Sequence, residues 1–169
     1  IYRSVHLVRT AMTHLDAFLL YYPSDVVVSA NANVGGDTLT TWSARLHPLI
    51  PVVNDANSPS SVMITVQVFD ASDVSVGNVT TTTTVPAGTA STLSLADVVI
   101  TTASVWSIQS PYLYRVLCVV TDTKSGFVVD SVNTTVGLRT VAWDIDRGFF
   151  LNDHNVKLRG FCHHDDFTG

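Results

Sequence analysis

The sequence predicts an all-β protein built as an antiparallel β-sandwich, and three observations support this prediction. Valine and threonine are abundant, and their branched side chains fit pleated strands better than helices. Residues 62–69 alternate strictly, with apolar side chains at the even positions and with Thr65 and Gln67 between them. This period of two indicates a strand with one buried face. No amphipathic segment is long enough for a convincing helix, which favours a sandwich.

Short breakers divide the chain into segments of strand length. Glycine, proline, aspartate and serine cluster at residues 22–25, 34–37, 86–88 and 124–126, and such clusters end strands. We expect the side chains of Val62, Ile64, Val66 and Val68 to face the sandwich interior. Besides residues 62–69, the expected strands are 4–8, 17–21, 26–32, 74–85, 112–121, 127–135 and 140–145.

One long segment interrupts this rhythm. Residues 37–60 carry three prolines and several turn-forming side chains. Because proline cannot donate to a strand ladder, we expect this segment to be a long surface insertion. The residues that carry this expectation are Pro48, Pro51, Pro59, Asn54, Asp55 and Asn57.

Residues 80–84 are five consecutive threonines. The run has two interpretations, an exposed strand built from β-formers or an O-glycosylated patch, and the absence of a surrounding proline cluster favours the strand. Asn78 and Asn133 begin N-glycosylation triplets. These triplets favour a secretory or lysosome-like route, but they also arise by chance, so the compartment is left open.

Composition excludes several classes of protein. The chain has 169 residues, of which 46% are hydrophobic and 14% charged, with a mean hydropathy of +0.30. This composition can form a packed core, and the length fits one domain with parts of its neighbours. A net charge of −5 disfavours nucleic-acid binding. No apolar run approaches the ~20 residues that span a bilayer, and two cysteines do not make a disulfide framework.

The densest cluster of reactive side chains lies at residues 162–166, Cys-His-His-Asp-Asp. These side chain types bind zinc, but neighbours on an extended chain point to opposite faces, so at most two converge on one ion. The simplest alternative is a polar loop after a strand, and a third is a polar loop that lines a sugar pocket. All three interpretations remain open on the residues alone.

No nucleophile or carboxylate pair can be identified from the residues. A Gly-x-Ser-x-Gly motif is absent, and Cys118 lies in an apolar segment, which predicts a small buried side chain. Glycoside hydrolysis with retention needs two carboxyl groups ~5 Å apart. The sequence by itself does not pair the candidates, which are Asp144, Asp146, Asp165 and Asp166.

Five segments, in order along the chain, resemble glycoside hydrolase family 2, which holds β-galactosidases, β-glucuronidases and β-mannosidases. Residues 1–7 resemble the last strand of its jelly-roll domain, and residues 106–114 resemble a late strand of its immunoglobulin-like domain. Residues 137–139 resemble its Gly-Phe-Arg segment, which leads into the catalytic barrel. Residues 149–160 and 161–166 resemble the start of that barrel and the end of its first strand.

Three residues depart from the family pattern. Asp153 stands where the family has the glycine of a Leu-Asn-Gly turn, and Cys162 and His163 also differ from the common residues. Because aspartate also adopts turn conformations, we expect only a local change at Asp153.

The resemblance implies three domains. Residues 1–12 would be the last strand of the jelly-roll domain, which is sugar-binding-like. Residues 13–138 would form the immunoglobulin-like β-sandwich, and residues 139–169 would begin the (β/α)8 barrel. An active site at the carboxyl ends of barrel strands would place His164 and Asp166 against the substrate.

The resemblance also implies a function. The parent would be a retaining exo-glycosidase that hydrolyses terminal β-D-galactosides through a covalent glycosyl-enzyme. In this family the two catalytic glutamates lie on later barrel strands. A barrel takes roughly 250 residues, whereas only 30 positions follow Arg139. We therefore expect no catalytic residue in this chain and no activity from the chain alone.

Alternatives remain beside this interpretation. The parent could be a β-glucuronidase or β-mannosidase, and the chain could be a free-standing immunoglobulin-like binding or adhesion module. The expected partners are the remaining domains of the same enzyme and its β-galactoside, with no nucleic acid or membrane, and a homo-oligomer is left open. We expect no cofactor and no metal in this chain, and we leave open a divalent cation such as Mg²⁺ in the parent.

Overall fold

The computed structural model describes residues 7–16, 20–34 and 37–160, which form thirteen strands and no helix. No helix that could cross a bilayer occurs within these ranges. The strands are β1 (Thr13–Leu15), β2 (Ser24–Val34), β3 (Asp37–Leu46), β4 (Leu49–Asn54), β5 (Ser60–Phe69), β6 (Ser75–Val85), β7 (Thr89–Ser94), β8 (Val98–Ala103), β9 (Tyr114–Asp122), β10 (Val128–Val136), β11 (Val141–Asp144), β12 (Gly148–Leu151) and β13 (His154–Asn155).

One layer of the sandwich is an antiparallel sheet with the strand order β10-β9-β5-β6. Its central strands β5 and β9 pair so that Val66 lies opposite Cys118. Val62, Ile64, Val66 and Val68 are all 0% exposed. The prediction that these four side chains face the interior is confirmed, because a period of two places alternate residues on one face.

The second layer is a three-stranded ribbon whose regular pairing is interrupted once along its length. At one end β4 lies between β1 and β7, and at the other end β3 lies between β2 and β8. β3 leads into β4 and β7 leads into β8 across short breaks. Tyr21 bridges to Leu49 between these two ends, so the chain from β1 to β2 stays beside the central strand at this interruption.

The interruption lies at Pro23, His47, Pro48 and residues 95–97, and we call it the elbow. The His47 amide donates to the Pro23 carbonyl at 2.8 Å, and the Leu95 amide donates to the Pro48 carbonyl at 3.0 Å. These two bonds hold the three strands of the ribbon together where its regular pairing is interrupted.

Apolar side chains from both layers form one core, which makes the architecture the predicted all-β, immunoglobulin-like sandwich. Complete burial of one such side chain contributes ~1.5–3 kcal/mol to folding. The fully buried members with the largest side chains are Leu46, Ile50, Ile64, Leu138, Val52, Val62, Val66, Val68, Val85, Val98, Val116 and Val120.

The prediction of a surface insertion at residues 37–60 is wrong. This segment contains β3 and β4, and its Ala44, Leu46, Ile50 and Val52 are buried in the core. β7 and β8 likewise lie where no strand is predicted. The three-stranded ribbon therefore supplies core residues from segments whose prolines and polar side chains obscure their alternation.

Two prolines of this segment occupy positions that the ribbon tolerates. Pro48 lies at the elbow, between β3 and β4. Pro51 lies within β4, and its carbonyl accepts the Asp16 amide at 3.0 Å. Proline has no amide hydrogen, so Pro51 cannot donate a bond back to the Asp16 carbonyl. Because Asp16 lies one residue beyond the end of β1, the pairing of β1 with β4 is unaffected.

The other predicted strands agree with the structure to different degrees. Residues 26–32, 74–85, 112–121, 127–135 and 140–145 correspond to β2, β6, β9, β10 and β11, with small shifts at the ends. In the predicted strand at 4–8, residues 4–6 lie outside the described ranges, and Leu7 and Val8 are in no strand. In the predicted strand at 17–21, residues 17–19 lie outside them, and Tyr21 forms a single bridge.

The threonine run at residues 80–84 forms part of β6, the edge strand of the four-stranded sheet. Thr80, Thr82 and Thr84 are exposed, and the Thr80 hydroxyl lies 3.1 Å from the Thr65 hydroxyl on β5. The interpretation of the run as an exposed strand is confirmed.

We expect Ile64→Ala to destabilise the chain by about 2–5 kcal/mol, because the cavity adds to the lost burial. Urea unfolding monitored by tryptophan fluorescence measures this difference. Thr82→Ala, on the exposed edge, is the control and should stay within about 0.5 kcal/mol of the wild type. Equal effects of the two substitutions would contradict the burial of Ile64.

Candidate functional site

The two residues predicted to bind substrate, His164 and Asp166, lie outside the described residues, as do Cys162, His163 and Asp165. Their roles therefore stay predictions. The described residues nevertheless include three of the five segments that carry the family resemblance.

These three segments meet at one end of the sandwich. The Trp106 amide donates to the Leu138 carbonyl at 2.7 Å, and the Asn152 side-chain amide donates to the Trp106 carbonyl at 2.9 Å. Leu138 and Asn152, both far from Trp106 in sequence, thus form hydrogen bonds with the backbone of Trp106. We call the cluster of Trp106, residues 137–140 and Asn152 the junction.

Asn152 is the centre of the junction and is only 5% exposed. Its side-chain Oδ1 accepts a hydrogen bond from the Thr140 backbone amide at 3.0 Å. Its backbone amide donates to the Thr140 carbonyl at 3.1 Å. With the bond to Trp106, every polar group of the buried side chain has a partner, as burial requires. Asn152 therefore ties the hairpin of β12 and β13 both to residue 140 and to the sandwich.

The backbone around Asn152 explains why the sequence turns there. Leu151 pairs with His154, and the two residues between them, Asn152 and Asp153, have φ values of 49° and 63°. Two consecutive residues with positive φ are typical of a type I′ hairpin turn, and Asn and Asp tolerate this conformation. The expectation that Asp153 preserves the turn is confirmed.

The Gly-Leu-Arg segment packs around Trp106. A Cβ at Gly137 would lie 3.1 Å from the Trp106 side chain, so only glycine fits without a shift. Leu138 is 1% exposed and belongs to the core, whereas the Arg139 guanidinium lies 5.2 Å from the centre of the Trp106 ring. This distance fits a cation–π contact. The segment thus connects the core to the junction.

Beyond the junction, β11–β13 leave a group of large apolar side chains uncovered. Val141 is 52% exposed, Trp143 71% and Ile145 101%. The Trp143 ring lies 4.9 Å from that of Phe149, and the Arg147 guanidinium lies 5.0 Å from that of Phe150. Exposed apolar groups of this kind mark contact surfaces more often than isolated ones do.

The residues that define the junction include no carboxylate, imidazole or thiol side chain, and the Nδ1 of the adjacent His154 lies 2.7 Å from the Asn152 carbonyl oxygen. Hydrogen bonds from Arg147, followed by those from the backbone at Asp146, lower the pKa of Asp144 and keep it ionised. Burial raises the pKa of Cys118 to about 12, so its thiol stays protonated. Cys118 is 0% exposed, which confirms its prediction as a small buried side chain.

Metal ligands are also absent from this part of the chain. Among residues 7–16, 20–34 and 37–160, no group of three or more His, Cys, Asp or Glu side chains is arranged to hold an ion. The hydrogen bonds of the junction fix the chain that follows the sandwich.

On the sequence alone, Trp106, Arg139 and Asn152 are parts of the segments that resemble the family, and no role is predicted for them. Their short motifs signal a turn and an aromatic side chain, but they do not indicate that the three residues meet. The contact depends on hydrogen bonds across separations of 12 and 46 residues.

Comparisons with known proteins agree with this structure. The profile of Glycosyl hydrolases family 2 matches residues 30–139. The beta-galactosidase BoGH2A of Bacteroides ovatus is 26% identical over 166 residues, which are 98% of this chain and 18% of that protein. A beta-glucuronidase of Bacteroides fragilis is 40% identical over 58 residues, or 34% of this chain and 8% of that protein.

The chain spans between 6% and 18% of the length of the curated relatives that it matches. Among solved structures, a glycosyl hydrolase family 2 member from Bacteroides cellulosilyticus has a TM-score of 0.77 at 22% identity. That match covers 93% of this chain and 20% of the other, and it supports the fold. Since the family profile matches more than half of the chain, including β3 to β10 and both Trp106 and Arg139, the chain belongs to glycosyl hydrolase family 2.

Proposed function

We propose that this chain is the immunoglobulin-like part of a larger family 2 glycosidase, the whole of which hydrolyses a terminal β-galactoside. The observation that carries the proposal is the junction, where Trp106, Arg139 and Asn152 anchor the chain that leaves the sandwich. We propose the boundaries 1–12, 13–138 and 139–169 for the jelly-roll strand, the sandwich and the start of the barrel.

The two glutamates that are catalytic in this family have no counterpart in this chain. A retaining glycosidase uses one carboxylate as nucleophile and one carboxylic acid as proton donor, ~5 Å apart. All 14 acidic residues of this sequence are aspartates. If the parent uses two glutamates, as its family does, both come from outside these 169 residues.

The exposed apolar side chains on and beside β11–β13 support contact with another domain of the same polypeptide. Val141, Trp143, Ile145 and Leu158 are 52% to 101% exposed, and burying them against a neighbouring domain would be favourable. We propose that the rest of the same enzyme covers this surface. The binding or adhesion module is not favoured, because family membership links the chain to glycosidases.

A β-glucuronide is the second candidate substrate, because the names of several relatives specify that activity. The two substrates differ at two carbons: C6 is a hydroxymethyl group in galactose and a carboxylate in glucuronic acid, and the C4 hydroxyl is axial in galactose and equatorial in glucuronic acid. A carboxylate is best bound by arginine or lysine, so the difference depends on side chains of the catalytic pocket. A paired kinetic measurement on both substrates distinguishes these candidates.

We expect the full-length enzyme to hydrolyse a nitrophenyl β-galactoside faster than the matching β-glucuronide, and the 169-residue chain to hydrolyse neither. The reason is that the chain contains no glutamate, whereas two glutamates are the catalytic residues of the family. Absorbance of released nitrophenol measures both rates. Turnover by the purified chain, free of host enzyme, would contradict the proposal, and a faster glucuronide rate in the full-length enzyme would favour the second substrate.

We expect Asn152→Asp to lower the activity of the full-length enzyme, because it removes the donor to the Trp106 carbonyl and places a carboxylate there. An unsatisfied buried group costs about 1–3 kcal/mol. Asn133→Asp is the matched control, since it makes the same chemical change at an exposed position on β10.

The measurement for this pair is the fraction of active sites labelled by a mechanism-based covalent inhibitor, together with kcat per labelled site. A displaced barrel would lower kcat per site, whereas simple misfolding would lower only the labelled fraction. If both values for Asn152→Asp match the control, the junction does not position the barrel.

We expect His164→Ala to lower kcat/KM of the full-length enzyme by roughly tenfold or more, since ~1.4 kcal/mol corresponds to a factor of ten. A histidine can hold a sugar hydroxyl with one nitrogen while a neighbour orients the other. His163→Ala should have a smaller effect, because alternate residues of an extended strand face opposite ways. Steady-state kinetics on one substrate tests both, and a reversed order of effects would move the contact to His163.

A further inference from the structure

The elbow of the three-stranded ribbon carries a histidine held between two carboxylates. The Nδ1 of His47 lies 2.7 Å from Oδ1 of Asp97, and its Nε2 lies 3.0 Å from Oδ2 of Asp25. Both separations are within hydrogen-bond range. The imidazole ring therefore contacts a carboxylate at each of its two nitrogens.

These three residues belong to the three different strands of the ribbon. Asp25 lies on β2, His47 follows β3 on the central strand, and Asp97 immediately precedes β8. The side-chain bonds therefore span the full width of the ribbon at the point where its pairing is interrupted. They act beside the two backbone bonds of the elbow, from His47 to Pro23 and from Leu95 to Pro48.

The geometry fits only one protonation state when both aspartates are ionised. A neutral imidazole has one N–H donor and one nitrogen lone pair. One of its nitrogens would then place a lone pair against a carboxylate oxygen at 3.0 Å or less. The imidazolium ion donates from both nitrogens and satisfies both carboxylates.

The charged groups around this site come from every strand of the ribbon. Besides Asp25 and Asp97, the Arg45 guanidinium on β3 lies 3.9 Å from Asp97. The side chains of His47 and Asp97 are 33% and 36% exposed, and that of Asp25 is 74% exposed. The hydrogen bonds with Asp97 and then with Asp25 raise the pKa of His47. Solvent and salt weaken pairs that are this exposed.

We propose that His47, Asp25 and Asp97 form a pH-dependent clasp that closes the elbow when the imidazole is charged and releases it when the imidazole is neutral. Released, the elbow keeps its backbone bonds but at most one of the two imidazole–carboxylate bonds, so the end of the ribbon formed by β2, β3 and β8 moves more freely against the other end. This clasp does not depend on the sugar specificity or on the activity of the parent enzyme.

The direction of the pH effect follows from the raised pKa. In the folded chain the imidazolium persists to a higher pH than in the unfolded chain, where histidine titrates near about 6.5. The stabilisation is thus fully present below about pH 6.5 and is lost as the pH rises through the higher pKa of folded His47. It also needs ionised aspartates, so it declines again below about pH 4.

The test compares thermal unfolding of the 169-residue chain with that of His47→Gln between pH 5 and pH 9. Glutamine offers one donor and one acceptor and cannot become charged. We expect the variant to unfold roughly 2–4 °C below the wild type at pH 5 to 6, and we expect the two curves to converge at high pH. A difference that does not change with pH would overturn the clasp.

His14→Gln is the matched control, because His14 lies on the same ribbon with its nearest carboxylate, Asp55, 3.9 Å away. We expect this control to show a much smaller pH-dependent difference, and an equal one would overturn the assignment to His47. Asp97→Asn gives an independent test. It should lower the pKa of His47 in an NMR titration of the imidazole, and an unchanged pKa would contradict the geometry.

Discussion

The burial of one face of β5 and β9 is the constraint on which the rest of the structure depends. Val62, Ile64, Val66, Val68 and Val116 are all 0% exposed, and a shift of register by one residue would bring the opposite faces inward. The opposing ribbon must therefore present a continuous apolar face, although prolines interrupt its strands. The elbow allows this, because it places Pro48 between strands and keeps Leu46 and Ile50 on the buried side.

The junction extends this order beyond the sandwich. Leu138 is the last core residue before the chain leaves, and its carbonyl binds the Trp106 amide. Trp106 in turn binds Asn152, so the hairpin of β12 and β13 is tied to the core by a short sequence of backbone and amide bonds. Such neutral, fully satisfied networks specify one geometry, because any displacement leaves a buried polar group unpaired.

Charge is arranged differently at the elbow and at the junction. At the elbow, ionisable groups face each other across strands at 2.7 to 3.0 Å and remain partly exposed. At the junction, the buried contacts are neutral amides and an aromatic ring. The hydrogen bonds of Asn152 therefore join groups that do not titrate, whereas those at the elbow join groups that do.

The sequence by itself determined the fold class, the inward face of β5, the exposed strand at residues 80–84 and the burial of Cys118, because all of these depend on local alternation and propensity. The turn at Asn152 and Asp153 was also predictable, since both residues tolerate positive φ. The tertiary structure decided that residues 37–60 form β3 and β4, because Pro48 and Pro51 disrupt the local pattern but occupy positions without a ladder donor. It alone brought Trp106 to Asn152 and His47 to Asp25 and Asp97, because these contacts join side chains that only the pairing of distant strands places together.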